Sequence, residues 1–208
     1  MLKSIKVAIL ALCMPLAAMA AEYKENVHYE TLTVEKSKTP RVLEFFSFYC
    51  PHCFKFEGPA RALEASLPAE VPFVKSHVNF MRGLPPEAQS YLSYGYLIAK
   101  QHGVDSQVVN EIFKTIHVQQ SQFRTMDDVK KLLAAHGVSA EKFDAALASM
   151  PIISAEKAMQ DEQKRFSEAG ALKGVPSFII NDKYIVKISS LSSQADFNNL
   201  VKYLLEKE

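Results

Sequence analysis

The sequence predicts an α/β fold in which a block of about 70 helical residues interrupts a framework of strands and helices. Three observations carry this expectation. The run Val42-Leu43-Glu44-Phe45-Phe46-Ser47-Phe48 is apolar on both faces except at Glu44, as expected of a central strand covered on both sides. Between Phe80 and Pro151 the apolar spacing becomes helical, after a break at Gly83-Leu84-Pro85-Pro86. Strand signals then return: Ser177 to Ile180 and Tyr184 to Ile188 read as a hairpin turning at Asn181-Asp182.

In chain order, residues 1–20 read as a secretory leader. Lys3 and Lys6 form its basic start, Val7 to Leu16 its apolar core, and Ala18-Met19-Ala20 its small-x-small cleavage site. The apolar core is too short for a membrane span, which needs roughly 20 residues. Leu12 is a poor residue before a lipidated cysteine, which argues against a lipoprotein anchored at Cys13. Strands are expected at His28 to Leu32, Val42 to Phe48 and Val71 to Val78. Pro86-Glu87 opens a helix to about His102, stopped by Gly103. Thr125-Met126-Asp127-Asp128 has the form of a capping box ahead of Val129, Leu132 and Leu133, and Gly137 ends that helix. Glu141 to Ser149 is a short helix, and a long polar one runs from about Ile152 to Ala169. Ser193-Gln194-Ala195-Asp196 caps a last helix with Phe197, Leu200, Val201 and Leu204 on one face. No internal repeat or low-complexity segment interrupts the pattern.

Cleavage after Ala20 leaves 188 residues with 22 basic and 23 acidic side chains, a formal charge of −1. No run of one sign points to nucleic acid or an anionic membrane surface. Two cysteines remain, as Cys50-Pro51-His52-Cys53, at the exit of the Val42 strand where a helix opens. That arrangement marks a thioredoxin-like redox site. Three positions apart on a helix, the two sulfurs share one face and can meet. Cys50, at the helix start, is favoured as a thiolate by unpaired N–H groups and the helix dipole, and is the expected nucleophile. Cys53 faces inward as the resolving cysteine. Pro51 fixes φ in the first turn, where no N–H is needed. The competing readings are a structural disulfide or half of a zinc site. No HxxxH-like pairing among the other histidines supplies further ligands, so no metal is expected. His28, His77, His102, His117 and His136 are read as without a role. Glu44 is a charge inside an apolar strand, for which Lys75, on a neighbouring strand, is the expected partner. A purely structural ion pair, or a solvated Lys75, is the competing reading. Glu57, one turn beyond Cys53, reads as an exposed helix glutamate. Pro59 should kink the helix near Gly58-Pro59.

Three stretches resemble the DsbA family of bacterial periplasmic thiol:disulfide oxidoreductases. They are Leu43 through Cys53 (ending Phe48-Tyr49-Cys50-Pro51-His52-Cys53), Lys75-Ser76-His77-Val78-Asn79-Phe80-Met81, and Gly174-Val175-Pro176. Their order, spacing and leader fit over the whole mature chain. The resemblance implies a thioredoxin fold with an inserted helical domain, here divided as residues 21–81, the insert 82–155, and 156–208. It implies that His52 stabilises the Cys50 thiolate. It also implies that Glu44 and Lys75 lie beneath Cys53 and handle its proton, and that the Val175–Pro176 bond is cis and faces the motif. Backbone at Val175 is then free to pair with an extended substrate. Two departures stand out. The chain has no tryptophan, and Lys187-Ile188-Ser189-Ser190-Leu191 differs from the usual family segment near where substrates are contacted.

The expected activity is thiol oxidation in the periplasm of a Gram-negative bacterium. A monomeric enzyme would pass its disulfide to unfolded secreted proteins with free cysteines and be reoxidised by a DsbB-type membrane partner. No flavin or nicotinamide motif is present, so no cofactor is expected and electrons leave by thiol exchange. The rival enzymatic reading is a disulfide isomerase or reductase. Periplasmic isomerases of the superfamily carry an N-terminal dimerisation module, for which the 29 residues between Ala20 and Cys50 leave no room. A chaperone whose cysteines are incidental is the rival from another class.

Overall fold

The computed structural model describes residues 23–208; the leader expected over 1–20, with Cys13, lies outside them. Two short strands and a helix come first: β1 (Tyr29–Thr31), β2 (Val42–Phe46) and α1 (Pro51–Ser66). After β3 (Phe73–His77) the chain leaves the sheet for α2 (Pro86–Gln101), α3 (Asp105–His117), α4 (Met126–Ala135), α5 (Ala140–Leu147) and α6 (Met150–Glu168). It returns as the hairpin β4 (Ser177–Ile180) and β5 (Tyr184–Val186), then ends in α7 (Gln194–Glu206). Among the described residues the sheet order is β1-β5-β4-β2-β3, with β2 and β3 parallel and the other neighbours antiparallel. This is the thioredoxin-like α/β arrangement with a helical insertion.

All five residues of β2 are buried, and alternation sends them into different layers. Val42 packs with Ala60 and Leu63 of α1 and with α7, whereas Leu43 and Phe45 pack with Phe166 of α6. The Phe45 and Phe166 rings meet edge to face at 5.5 Å. A third cluster joins Phe46, Phe48, Cys50 and Cys53 to the helical block through Leu92, Tyr96, Ile112 and Phe113. Helix α6 serves two cores. Ile152 and Met159 pack with the helical block, and Phe166 packs under the sheet.

Local signals act where expected. Thr125 and Asp128 form the reciprocal capping box of α4. Gly103 and Gly137 take φ of +69° and +87° after α2 and α4, a region where a side chain is strained. Asn181 and Asp182 also take left-handed φ, at 52° and 59°, which suits a two-residue hairpin turn. Asp182 is held there by Arg41 Nε (2.7 Å) and Arg165 Nη2 (3.0 Å).

Several boundaries differ from expectation. Strand β2 stops at Phe46, two residues short of the expected end, because the chain turns at Ser47. Cys50 N–H donates to Ser47 O (3.1 Å) and Tyr49 N–H to Ser47 Oγ (3.2 Å). Strand β3 is shorter at both ends than Val71 to Val78. Strand β5 stops at Val186, where Lys187 N–H turns to His28 O, and Ile188–Ser190 winds into a 3₁₀ turn instead of extending the strand. Helix α3 was not separately expected. Its N-cap is Val104, with no side-chain hydrogen bond, so no capping residue announced it. Helix α1 continues through Pro59, whose carbonyl accepts from Gln194 Nε2 of α7 at 3.1 Å.

Candidate active site at the start of helix α1

Cys50 is the N-cap of α1, with extended backbone (φ −95°, ψ 114°), and Pro51 occupies the first helical position. Its Sγ accepts the backbone N–H of Cys53 at 3.2 Å, the role an oxygen plays in an ordinary helix cap. As a thiol it also lies 3.3 Å from Val175 O, in the loop whose Val175–Pro176 peptide is cis. Both cysteines are free thiols and buried, Cys50 at 3% exposure and Cys53 at 1%. Pro51 and His52 between them face solvent.

The two thiols are driven in opposite directions. Hydrogen bonding from the Cys53 thiol is the largest influence on Cys50. Burial opposes it, but the backbone N–H groups of Cys53 and His52 and the His52 charge add to it, bringing the Cys50 pKa down to about 6. Burial, then the hydrogen bond given to Cys50, pushes Cys53 far up, and the charge of Glu44 adds to this. At neutral pH the pair therefore carries one thiolate, at Cys50, and one thiol, at Cys53.

The Glu44 charge that acts on Cys53 belongs to a chain of charges. Parallel pairing sets Glu44 beside Lys75 in register. Lys75 Nζ lies 2.8 Å from Glu44 Oε2, 2.7 Å from Glu57 Oε2 and 4.7 Å from the centre of the Phe46 ring. Arg61 Nε holds the other oxygen of Glu57 at 2.8 Å, and its Nη1 and Nη2 donate to Ser106 Oγ (2.7 Å) and Ser106 O (3.0 Å) on α3. Burial pushes the Glu44 carboxyl above its ordinary range, with Lys75 pulling the other way. Burial works against the charge of Lys75, but Glu44 and Glu57 outweigh it and raise its pKa.

Glu57 corrects the sequence reading: it is 8% exposed and bridges Lys75 to Arg61, rather than lying on the outer face of α1. The signal was present. Cys53, Glu57, Ala60 and Leu63 recur at helical spacing and form one buried face. His117 is a second residue that sequence reasoning passed over. From the end of α3 its Nε2 reaches Phe48 O at 2.8 Å, and its ring stacks on Phe54 at 5.2 Å and 9°. His77 is fully buried beside Ser93 Oγ (2.9 Å), and burial lowers its pKa to about 3.

Residues 41–202 match the family model of the DSBA-like thioredoxin domain. The thiol:disulfide interchange protein DsbA of Dickeya dadantii (strain 3937) is 30% identical over 216 residues, covering 100% of both chains. The crystal structure of the disulfide oxidoreductase DsbA from Proteus mirabilis resembles this chain with a TM-score of 0.78 at 30% identity, covering 89% of this chain and 98% of that one. A complex of a cysteine-to-serine form of Proteus DsbA with a non-covalently bound peptide, PWATCDS, gives the same TM-score of 0.78 at 29% identity, covering 90% of this chain and 100% of that one. Thiolate chemistry at a helix start, a thioredoxin-like sheet with its helical insertion and full-length kinship agree: the chain belongs to the DsbA family and is a thiol:disulfide oxidoreductase.

Proposed function

We propose that the chain is a periplasmic thiol oxidase that passes a Cys50–Cys53 disulfide to secreted proteins with free cysteines. The observation that carries this is the asymmetry of the two thiols at one helix turn: Cys50 stabilised as a thiolate, Cys53 buried and held protonated. A substrate thiolate attacks Cys50 Sγ, the Cys50–Cys53 bond breaks, and Cys53 leaves with the electron pair and takes up a proton. A second substrate thiolate attacks the substrate sulfur of the mixed disulfide, and Cys50 leaves as a stabilised thiolate. Two electrons have moved from substrate to enzyme. Stabilising that leaving group favours both the step and the reduced product.

The remaining site residues support these steps. His52 and Pro51 shape the helix start that holds the Cys50 charge. Glu44, with Lys75 and Glu57, forms the buried ionisable group nearest in chemistry to the proton that Cys53 gains and loses. Val175 and Pro176 lie against Cys50, and their backbone is where a substrate segment docks; a Proteus relative is known in complex with a non-covalently bound peptide. A DsbB-type membrane partner reoxidises the dithiol, residues 82–155 form the inserted domain, and the enzyme acts as a monomer. The test is direct. Oxidised protein mixed with a reduced two-cysteine peptide should yield one peptide disulfide per enzyme dithiol formed, and Cys50→Ser should yield none. An oxidised enzyme that leaves the peptide reduced overturns the proposal.

A further inference from the structure

His117 contacts both sides of the motif from outside it. Its Nε2 lies 2.8 Å from the carbonyl of Phe48, two residues before Cys50. A carbonyl only accepts, so Nε2 carries the proton. Its ring lies flat on Phe54, the residue after Cys53, whose own N–H donates to Cys50 O at 3.1 Å. One helical turn earlier on α3, Phe113 packs against the same groups, 5.1 Å from Phe48 and 5.7 Å from Phe54. Strand β2 has ended at Phe46, so the Phe48–Tyr49 peptide gains no support from its sheet ladder.

We infer that His117 is a positioning residue, a clamp from the helical block that fixes the Phe48–Cys50 turn against the first turn of α1. The inference rests on the proposed role of Cys50 as redox nucleophile. Holding the Phe48 carbonyl sets the plane of the next peptide and thereby the place of Cys50 Sγ over the Cys53 N–H. When the clamp loosens, that hydrogen bond lengthens, the thiolate loses stabilisation and the disulfide becomes harder to reduce.

Two variants separate the hydrogen bond from the ring. His117→Phe keeps the stack on Phe54 and removes the donor; His117→Gln keeps a donor and removes the ring. The thiolate titration of Cys50 and the redox equilibrium with glutathione are measured for each. For His117→Phe the titration midpoint should rise and the equilibrium should move about threefold to tenfold toward the disulfide, the scale of one lost hydrogen bond. His117→Gln should stay within about twofold of the wild type if the donor is what matters. An unchanged His117→Phe equilibrium, or equal shifts in both variants, overturns the clamp. In the wild-type protein, imidazole ¹⁵N shifts should show a proton on Nε2, and a neutral ring protonated at Nδ1 alone overturns the clamp whatever the variants do. Failure of the wild type to exchange with glutathione at all sinks instead the reading of Cys50, leaving the tautomer to judge the clamp.

Discussion

Removing the Cys50 thiolate should change the pH dependence of stability in a calculable way. In the reduced protein Cys50 titrates at about 6, against about 8.5 in an unfolded chain. The folded pKa is the lower one, so the contribution is fully present above the unfolded value and is lost as pH falls through about 6. The linkage relation gives about 1.4 kcal/mol at pH 7, roughly 2.6 kcal/mol at pH 8 and less than about 0.1 kcal/mol at pH 5. Cys50 is only 3% exposed, so solvent screening removes little of this. The same free energy favours the dithiol over the disulfide, and 1.4 kcal/mol corresponds to about 30 mV for the two-electron couple. The assay is urea unfolding of reduced wild type and of Cys50→Ser at pH 5, 7 and 8. Apart from Cys53, whose raised titration depends partly on Cys50, the other titrating groups are common to both proteins, so the difference reports the Cys50–Cys53 pair. It should grow by more than about 2 kcal/mol from pH 5 to pH 8. A difference that stays flat, or a thiolate absorbance transition near the ordinary cysteine value, refutes the reasoning.

Lys75→Met should destabilise by roughly 3–5 kcal/mol in urea unfolding, because Glu44 is left buried without a counter-charge while Glu57 keeps Arg61; adding Glu44→Gln should restore much of the loss, and a cost below about 1 kcal/mol would mean that the pair behaves as a surface one. His77 folds as a neutral base with its pKa lowered to about 3. Its contribution is therefore present above the ordinary histidine value and is lost as pH falls toward about 3, at up to about 1.4 kcal/mol per pH unit. His77→Gln should flatten the acid limb of stability by that slope, and an identical limb in both proteins contradicts the assignment. His52→Ser removes a side-chain charge while keeping the backbone N–H, so the Cys50 titration should move up and the glutathione equilibrium toward the disulfide. An unchanged equilibrium would assign the stabilisation of the Cys50 thiolate to the Cys53 hydrogen bonds and the helix start alone.

The legible parts of this molecule are those written in local chemistry. Thr125 and Ser193 announced their helices because a cap is a short-range hydrogen bond. Val42 to Phe46 announced a central strand because burial on two sides leaves no polar alternation. The pairing of Glu44 with Lys75 followed from one charge in an apolar strand needing one partner. What escaped depended on distance. Helix α3 has no cap to mark it. Glu57 looked like any helix glutamate until Lys75 and Arg61 were seen on either side of it. His117 is an ordinary histidine in sequence, and its importance arises from the fold bringing the end of α3 against Phe48 and Phe54.

The sheet also dictates an order of events during synthesis. Strand β2, which leads into the cysteines, is made early, yet one of its two neighbours is β4, where Phe45 pairs with Ser177. Until the C-terminal hairpin has been made, one edge of β2 stands open and Cys50 has no Val175 loop over it. A nascent chain thus carries an uncovered dithiol and an apolar, unpaired strand before it has the means to shield either. Completion of the C-terminal hairpin closes both exposures at once, pairing β2 with β4 and setting the Val175 loop against Cys50.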